Sequence, residues 1–140
     1  MRKFLTIVLL TVSLSLLVTA CGSNAPAAPS TSIKVTIGDF YFSPHTFTVP
    51  VGQLISITAV NNGGHVHTLS IMQKGITVEH WSDATDKPNI YWAMGAIAAV
   101  GGTKTSSFTA PSEPGDYQIV CENAGHIEAG MVAKLIVVAP

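Results

Sequence analysis

Residues 121–131 read Cys-Glu-Asn-Ala-Gly-His-Ile-Glu-Ala-Gly-Met, and this stretch decides how the rest of the chain is interpreted. It lies between two runs of alternating apolar and polar residues, one ending at Val120 and one beginning near Met131. The spacing Cys-x4-His-x4-Met places a thiol, an imidazole and a thioether in one loop. These are donors that copper prefers, whereas zinc has no use for the thioether. The loop therefore predicts a copper site that includes Cys121, His126 and Met131.

The fourth ligand of such a site has to come from a distant part of the chain, and two histidines compete for this role. His67 opens an alternating run that reaches Ile71, shortly after the turn-forming sequence Asn-Asn-Gly-Gly at residues 61–64. We favour His67 because it adjoins a strand, and a sheet holds a ligand more rigidly than a turn does. His65 stays open as the alternative. Two histidines and one cysteine in a plane, with a weak axial methionine, form a type 1 blue-copper site. The predicted ligand set is His67, Cys121, His126 and Met131.

Apolar and polar residues alternate along much of residues 33–140, which predicts an all-β domain there. The pattern is clear at residues 33–37 and 55–59, and sequences rich in Gly, Asn or Pro separate such runs. Many short strands between turns indicate a Greek-key β-sandwich or barrel. Residues 81–100 lack the pattern, and we expect one long loop there with a short helix at residues 93–100.

The N-terminus has the sequence pattern of a bacterial lipoprotein. Two basic residues precede an apolar run at residues 4–18, which is too short for a comfortable membrane span and matches a secretory signal. The sequence Leu-Val-Thr-Ala before Cys21 resembles the lipobox, in which the cysteine is lipidated after cleavage. We predict a lipoprotein signal peptide at residues 1–20. The lipidated Cys21 and a flexible, Pro- and Ser-rich tether then occupy residues 21–32.

The composition excludes several classes of protein. Only 11% of the 140 residues are charged and the net charge is −1, so the chain has no basic surface of the kind that binds nucleic acid. Cleavage before Cys21 would remove two basic residues and leave five against eight acidic ones. Because an acidic protein does not adhere to anionic lipid through charge, the lipid on Cys21 would hold it at the membrane. Cys121 is then the only free thiol.

Five segments together carry a known pattern: Phe40-x-Phe42-x-Pro44, Val49-x-x-Gly52, residues 61–67, Gly115-x-Tyr117-x-x-x-Cys121 and the loop 121–131. They resemble the cupredoxins, small blue-copper proteins such as plastocyanin, azurin and auracyanin, over residues 33–138. The loop spacing and the membrane tether are most similar to auracyanin. Two positions depart from the family pattern. Thr68 stands where an asparagine often ties the ligand loops together, and Ala124 stands where many relatives have proline.

The resemblance implies a function in electron transfer. Cys121 would supply the strong bond to copper, His67 and His126 would complete the plane, and Met131 would tune the potential from the axial position. Four protein ligands leave no open position for a substrate, so we expect an electron carrier and not an enzyme.

The expected protein is a monomer on the extracytoplasmic face of a bacterial membrane, in the periplasm or at the cell surface. It carries single electrons between unidentified redox protein partners by Cu(II)/Cu(I) cycling, and its lipid on Cys21 contacts the membrane. The alternative is an extracytoplasmic copper-binding or copper-carrier lipoprotein.

The ligand loop also predicts a contact surface. His126 is flanked by small or apolar residues, among them Ala124, Ile127 and Ala129. In the cupredoxins the edge of the equivalent histidine emerges through an apolar patch, and exposed apolar patches mark contact sites. We expect Ile127 to border this patch. Residues 93–100 either border it as well or pack as an ordinary buried helix.

Overall fold

The computed structural model describes residues 28–139, which form nine β-strands and two very short helices. The strands are β1 (Ser32–Gly38), β2 (Tyr41–Ser43), β3 (Thr46–Pro50), β4 (Leu54–Asn61), β5 (Ser70–Met72), β6 (Ile90–Ala93), β7 (Gly102–Thr109), β8 (Gly115–Val120) and β9 (Val132–Val138). Helix α1 (Asp83–Asp86) and a 3-10 helix (Lys87–Asn89) lie between β5 and β6. Within this range, no helix is long and apolar enough to cross a membrane.

Three predictions about the N-terminus fall outside the described residues. They are the signal peptide at residues 1–20, the lipidation of Cys21, and most of the tether at residues 21–32. All three stay predictions.

The strands form two mixed sheets that pack as a sandwich. One sheet has the order β2-β1-β4-β7 and the other the order β3-β9-β8-β5-β6. Each sheet contains one parallel pair, β1 with β4 and β3 with β9, because the chain crosses between the sheets before and after β3. The predicted all-β sandwich is confirmed. The two sheets stay separate and do not close into a barrel.

The core follows from the alternation along the strands. In β1, Ile33, Val35 and Ile37 are buried while Lys34 is exposed, and burial of such apolar area at about 25 cal/mol per Å² drives folding. The main cluster fills the space between the sheets and includes the thiol of Cys121. A second, smaller cluster lies on the other face of the five-stranded sheet, where it is formed by Met72, Val78, Val120 and Ile127.

The long loop before β7 contains a short helix, but not at the predicted position. The prediction of a helix at residues 93–100 was wrong. Strand β6 ends at Ala93, the residues after it form irregular backbone with one β-bridge at Ile97 and a turn that includes Val100, and α1 lies earlier in the loop. The N–H of Met94 donates to the carbonyl of Leu69 at 2.9 Å, and Gly95 has a φ of 70°. Pairing with the neighbouring segment therefore uses the backbone groups that a helix would need.

The chain enters the sandwich at the end opposite to the candidate ligands. The N–H of Ser30 donates to the carbonyl of Thr48, so packing begins just ahead of the predicted domain boundary at residue 33. Strand β1 then runs for seven residues, about 20 Å at 3.3 Å per residue, to the turn at Asp39. Asp39 contacts His67. The length of one strand thus separates the point of entry from the site.

Candidate metal centre

Three of the four predicted ligands meet at one end of the sandwich. The donor atoms of His67, Cys121 and His126 all lie within 4.8 Å of one another. Nδ1 of His126 is 3.5 Å from Sγ of Cys121, and Nδ1 of His67 is 3.9 Å from it. His67 and Cys121 are fully buried, whereas His126 is half-buried. Two imidazole nitrogens therefore face one thiol, and these three donors lie close enough together to hold a single metal ion.

The loop 121–131 is folded by its own backbone. The N–H of His126 donates to the carbonyl of Asn123 at 3.1 Å, and the N–H of Met131 donates to the carbonyl of His126 at 2.8 Å. Gly125 and Gly130 have φ values of 81° and 94°, in the left-handed region that favours glycine. Met131 lies fully buried at the end of this loop. The two glycines thus permit the tight turns that bring His126 and Met131 back toward the core.

His67 is held by an adjacent extended segment. It exchanges two backbone hydrogen bonds with Ile97, at 3.2 and 2.8 Å. The buried side chain of Asn61 supports both strands of this bridge, since its amide donates to the carbonyls of His65 at 2.8 Å and Ile97 at 3.1 Å. The Asn61 side-chain oxygen accepts the N–H of Gly63 at 2.9 Å. Asn61 therefore fixes the path of the chain into the candidate ligand.

The structure separates the two competing histidines. His67 faces the thiol, whereas the side chain of His65 is 64% exposed and its Nδ1 lies 3.1 Å from the carboxylate of Asp39. Neighbouring residues in extended backbone point to opposite sides, but residues two apart share a side. The turn that ends near His65 breaks this regularity. His67 is therefore the histidine that the fold brings to Cys121.

Thr68 links the two ligand segments, which is the role that an asparagine often has at this position in the family. Its Oγ1 accepts the N–H of Glu122 at 2.7 Å, and the same hydroxyl donates to Sγ of Cys121 at 3.7 Å. The Thr68 N–H also donates to that sulfur, at 3.5 Å. Two further contacts cross between the segments, from the Asn123 amide to a backbone carbonyl and from the Ser70 hydroxyl to the Glu122 carboxylate.

The sequence interpretation missed a supporting turn formed by Asp39 and Phe40. Oδ1 of Asp39 lies 3.2 Å from Nε2 of His67, and the Phe40 ring meets the His126 ring edge-on with centroids 5.1 Å apart. Hydrogen bonds from His65 and from a backbone N–H hold the pKa of the Asp39 carboxyl well below its usual range. Phe40 belongs to a recognised motif, but nothing in the local sequence indicates that Asp39 reaches a ligand.

The comparison with protein families decides what this chain is. The cupredoxin-like domain family matches residues 8–137, which is nearly the whole chain. The chain belongs to the cupredoxin family. The predicted family is therefore confirmed, and with it the two-sheet fold described above.

Solved and curated relatives agree with this assignment. An auracyanin from the photosynthetic bacterium Roseiflexus castenholzii is 30% identical to this cupredoxin, with a TM-score of 0.69 over 79% of this chain and 99% of that one. Rusticyanin from Thiobacillus ferrooxidans is 23% identical, with a TM-score of 0.61 over 78% of this chain and 79% of its own, and shares the fold. The copper-resistant cuproprotein CopI of Rubrivivax gelatinosus is 27% identical over 108 residues. The alignment covers 76% of this chain and 66% of CopI, so this chain spans just under two thirds of that relative.

The donors of this cupredoxin fit one type 1 copper ion. Cys121 is a buried free thiol, and a soft thiolate beside two imidazoles is a donor set that selects copper. Burial lowers the pKa of His126, and the neighbouring His67 lowers it further. The lowered pKa favours the neutral ring at pH 7, in which one of the two nitrogens keeps the lone pair that a metal needs.

The expected contact surface around His126 needs one correction. Ile127 is only 6% exposed and packs in the second cluster with Val78, so the prediction that it borders an exposed patch was wrong. The loop turns between His126 and Ile127, which sends neighbouring side chains in different directions. Phe40 and Val66, 41% and 48% exposed, face solvent at this end. Val100, from the segment 93–100, also does so at 81%, and its N–H donates to the carbonyl of Gly63.

Proposed function

We propose that this cupredoxin is a one-electron carrier between protein partners, with His67, Cys121, His126 and Met131 as the ligands of its copper. The observation that carries the proposal is the convergence of two imidazoles and one thiol within 4.8 Å, where His67 and Cys121 are buried and His126 is half-buried. Bound copper supplies a Cu(II)/Cu(I) couple. A rigid sheet and a hydrogen-bonded loop keep the donors nearly fixed, which lowers the reorganisation barrier to electron transfer.

Each ligand has a separate role in this proposal. The Cys121 thiolate would provide the strong bond to copper, and the imidazoles of His67 and His126 would be the next two ligands. Met131 would be the fourth and weakest ligand, and its full burial and the hydrogen bond from its N–H to the carbonyl of His126 support this role. The hydroxyl and N–H of Thr68 donate to the thiolate and tune its electron density.

The same geometry supports a carrier over an enzyme. A catalytic metal keeps an open position for water or substrate, whereas four protein ligands would fill the coordination of a copper ion here. Three surface grooves of the described residues 28–139 are lined by other parts of the sandwich, and none of these three includes a proposed ligand.

Electrons are proposed to enter and leave at the His126 edge. Its ring is the one imidazole of the three grouped donors that is only half-buried, and Phe40 meets it edge-on. Val66 and Ala124, in the two ligand segments, are exposed as well. A small apolar surface suits brief encounters with redox proteins, whose interfaces lie below about 1,200 Å². We propose that the protein is a monomer that docks its donor and its acceptor here in turn.

We also propose that a lipid on Cys21 holds the protein at the extracytoplasmic face of a bacterial membrane. The described chain enters the sandwich one strand length away from His67. A tether attached at that end leaves the metal end free to meet soluble partners. Mass spectrometry of the membrane fraction tests the lipid, and a Cys21→Ser variant should move to the soluble fraction.

Absorption spectroscopy and voltammetry test the central proposal. The copper-loaded protein should show an intense visible band from charge transfer between thiolate and copper, and this band should disappear on reduction. A reversible one-electron wave should accompany it. A colourless copper complex, or one that reacts irreversibly, would contradict the assignment.

A copper-carrying role is the second candidate, and the likeness to a copper-resistant cuproprotein favours it. The donor set argues the other way, since Met72 and Met94 are buried packing residues and give no exposed methionine site for exchange. Transfer of Cu(I) to a chelator distinguishes the roles. Release within seconds would favour a carrier of copper, and retention for hours would favour a carrier of electrons.

A further inference from the structure

The turn between β1 and β2 touches both proposed histidine ligands from outside the ligand set. The Asp39 carboxylate lies 3.2 Å from Nε2 of His67, and Phe40 meets the ring of His126. The turn lies 28 residues before His67 in the sequence, so only the fold brings them together. Of the two contacts, the one from Asp39 carries a charge to a ligand.

The contact decides which nitrogen of His67 is available to a metal. Nδ1 of His67 faces Sγ of Cys121 at 3.9 Å, whereas Nε2 faces Asp39. A neutral imidazole carries one proton, and a carboxylate at hydrogen-bond distance keeps that proton on Nε2. Nδ1 is thereby left with its lone pair on the side of the sulfur.

The surroundings of Asp39 hold its carboxylate in this position. Oδ2 accepts the N–H of Gly64 at 3.1 Å, and Oδ1 is shared with Nδ1 of His65. A Cβ on Gly63 would lie 2.5 Å from Oδ1 of Asp39 and 2.9 Å from its backbone nitrogen, so glycine permits the close approach. Phe40 has a φ of 67°, in a region that non-glycine residues adopt only where the surrounding structure fixes them.

We propose that Asp39 is a positioning residue that orients His67 and lowers the reduction potential of the copper site. This inference rests on the proposed function. A carboxylate that accepts a hydrogen bond from a ligand histidine makes the ring more basic. A more basic ligand stabilises Cu(II) relative to Cu(I), and the negative charge of Asp39 acts in the same direction.

The test compares Asp39→Asn with Glu128→Gln in the full copper-loaded protein. Both variants remove one negative charge near the ligands, but the Glu128 carboxylate pairs with exposed His80 and contacts no proposed ligand. We expect Asp39→Asn to shift the equilibrium between oxidised and reduced protein about tenfold toward the reduced form, which raises the midpoint potential by about 59 mV for a one-electron couple. Glu128→Gln should shift the midpoint much less. Equal shifts in both variants, or no shift in Asp39→Asn, would overturn the proposal.

NMR of the reduced, diamagnetic protein gives a readout that does not depend on the potential. The Nε2 proton of His67 should be observed far downfield and should exchange slowly in the wild type, and Asp39→Ala should make it exchange quickly. Asp39→Glu keeps a carboxylate, so its midpoint potential should lie closer to that of the wild type than the midpoint potential of Asp39→Asn does. A His67 proton found on Nδ1 in the wild type would overturn the proposal even if Asp39→Asn fails to fold.

Different results refute the proposed function and the role of Asp39. A wild-type protein without the intense visible band refutes the proposed function. A blue wild type whose midpoint and His67 proton are unchanged in Asp39→Asn refutes only the role of Asp39.

Discussion

The two segments that supply ligands, residues 121–131 and residues 61–68, are organised in opposite ways. The first contains three of the four proposed ligands, and its described turns close on themselves through backbone hydrogen bonds such as that from Met131 to His126. Its shape is therefore specified largely by residues within the loop, including two glycines with positive φ.

The second segment supplies one proposed ligand, and distant residues hold it. His67 forms a β-bridge with Ile97, and its Nε2 contacts the carboxylate of Asp39. The next residue, Thr68, donates a hydrogen bond to Cys121, which lies 53 residues later in the sequence. The position of this segment follows from the packing of the whole sandwich. The candidate metal centre therefore combines a loop whose shape depends on its own residues with a histidine whose position depends on the whole fold.

The largest effect is expected from removing the thiol of the loop 121–131. Cys121→Ser should fold but lose the intense visible band entirely, because charge transfer to copper requires the sulfur. Absorption and circular dichroism of the copper-loaded variant measure both points. Cys21→Ser serves as the control and should stay coloured. A blue Cys121→Ser protein would contradict the ligand assignment.

The next largest effect is expected from the support of the distant segment. Asn61→Ala removes the side-chain hydrogen bonds to the carbonyls of His65 and Ile97 and leaves the buried N–H of Gly63 without its acceptor, while the Ile97 carbonyl keeps the N–H of His67. The variant should reduce the free energy of unfolding by about 2–3 kcal/mol. Urea denaturation of the copper-free protein measures this. Asn62→Ala changes an exposed side chain and should stay within about 0.5 kcal/mol of the wild type. Equal losses in the two variants would show that Asn61 does not organise the segment.

A smaller effect is expected from cutting the link between the segments. Thr68→Val keeps the shape but removes the acceptor of the Glu122 N–H, which should reduce stability by about 1 kcal/mol. It also removes one hydrogen bond to the thiolate, so the midpoint should fall, since that bond stabilises the more negative sulfur of the reduced site.

Thr68→Ser retains the hydroxyl and provides the matched control for voltammetry and denaturation. It should stay close to the wild type in both measurements. A midpoint that rises in Thr68→Val would contradict the role of the hydroxyl as a donor to sulfur.

The smallest effect is expected inside the local loop. Ala124 and Gly125 are the two central residues of a turn that is closed by the hydrogen bond from the N–H of His126 to the carbonyl of Asn123. Proline is common at the first central position of such a turn, which here is Ala124. Ala124→Pro should therefore stabilise the protein by about 0.4–1 kcal/mol. The described hydrogen bonds to Sγ of Cys121 come from Thr68 and not from Ala124, so the midpoint should change little. A large shift of the midpoint would show that the loop and the sulfur are coupled through this residue.

Much of the fold and of the candidate site could be predicted from residues that act locally. The alternation in β1 and β4 predicted strands, because a period of two buries one face of a sheet. The Cys-x4-His-x4-Met spacing predicted a metal loop, and the structure brings Cys121 and His126 together. The helix expected at residues 93–100 shows the limit of such reasoning. This run is rich in small residues, and its backbone pairs with residues 67–69, which only the fold places beside it.

The sequence by itself determined the family, the two-sheet class and the chemistry of the donors, because spacing and side-chain type act over a few residues. Only the tertiary structure decided that His67 and not His65 faces the thiol, that Ile127 is buried, and that Asp39 reaches a ligand. These outcomes depend on contacts across tens of residues, where the direction of a side chain is set by the packing of two sheets. No local pattern records that direction.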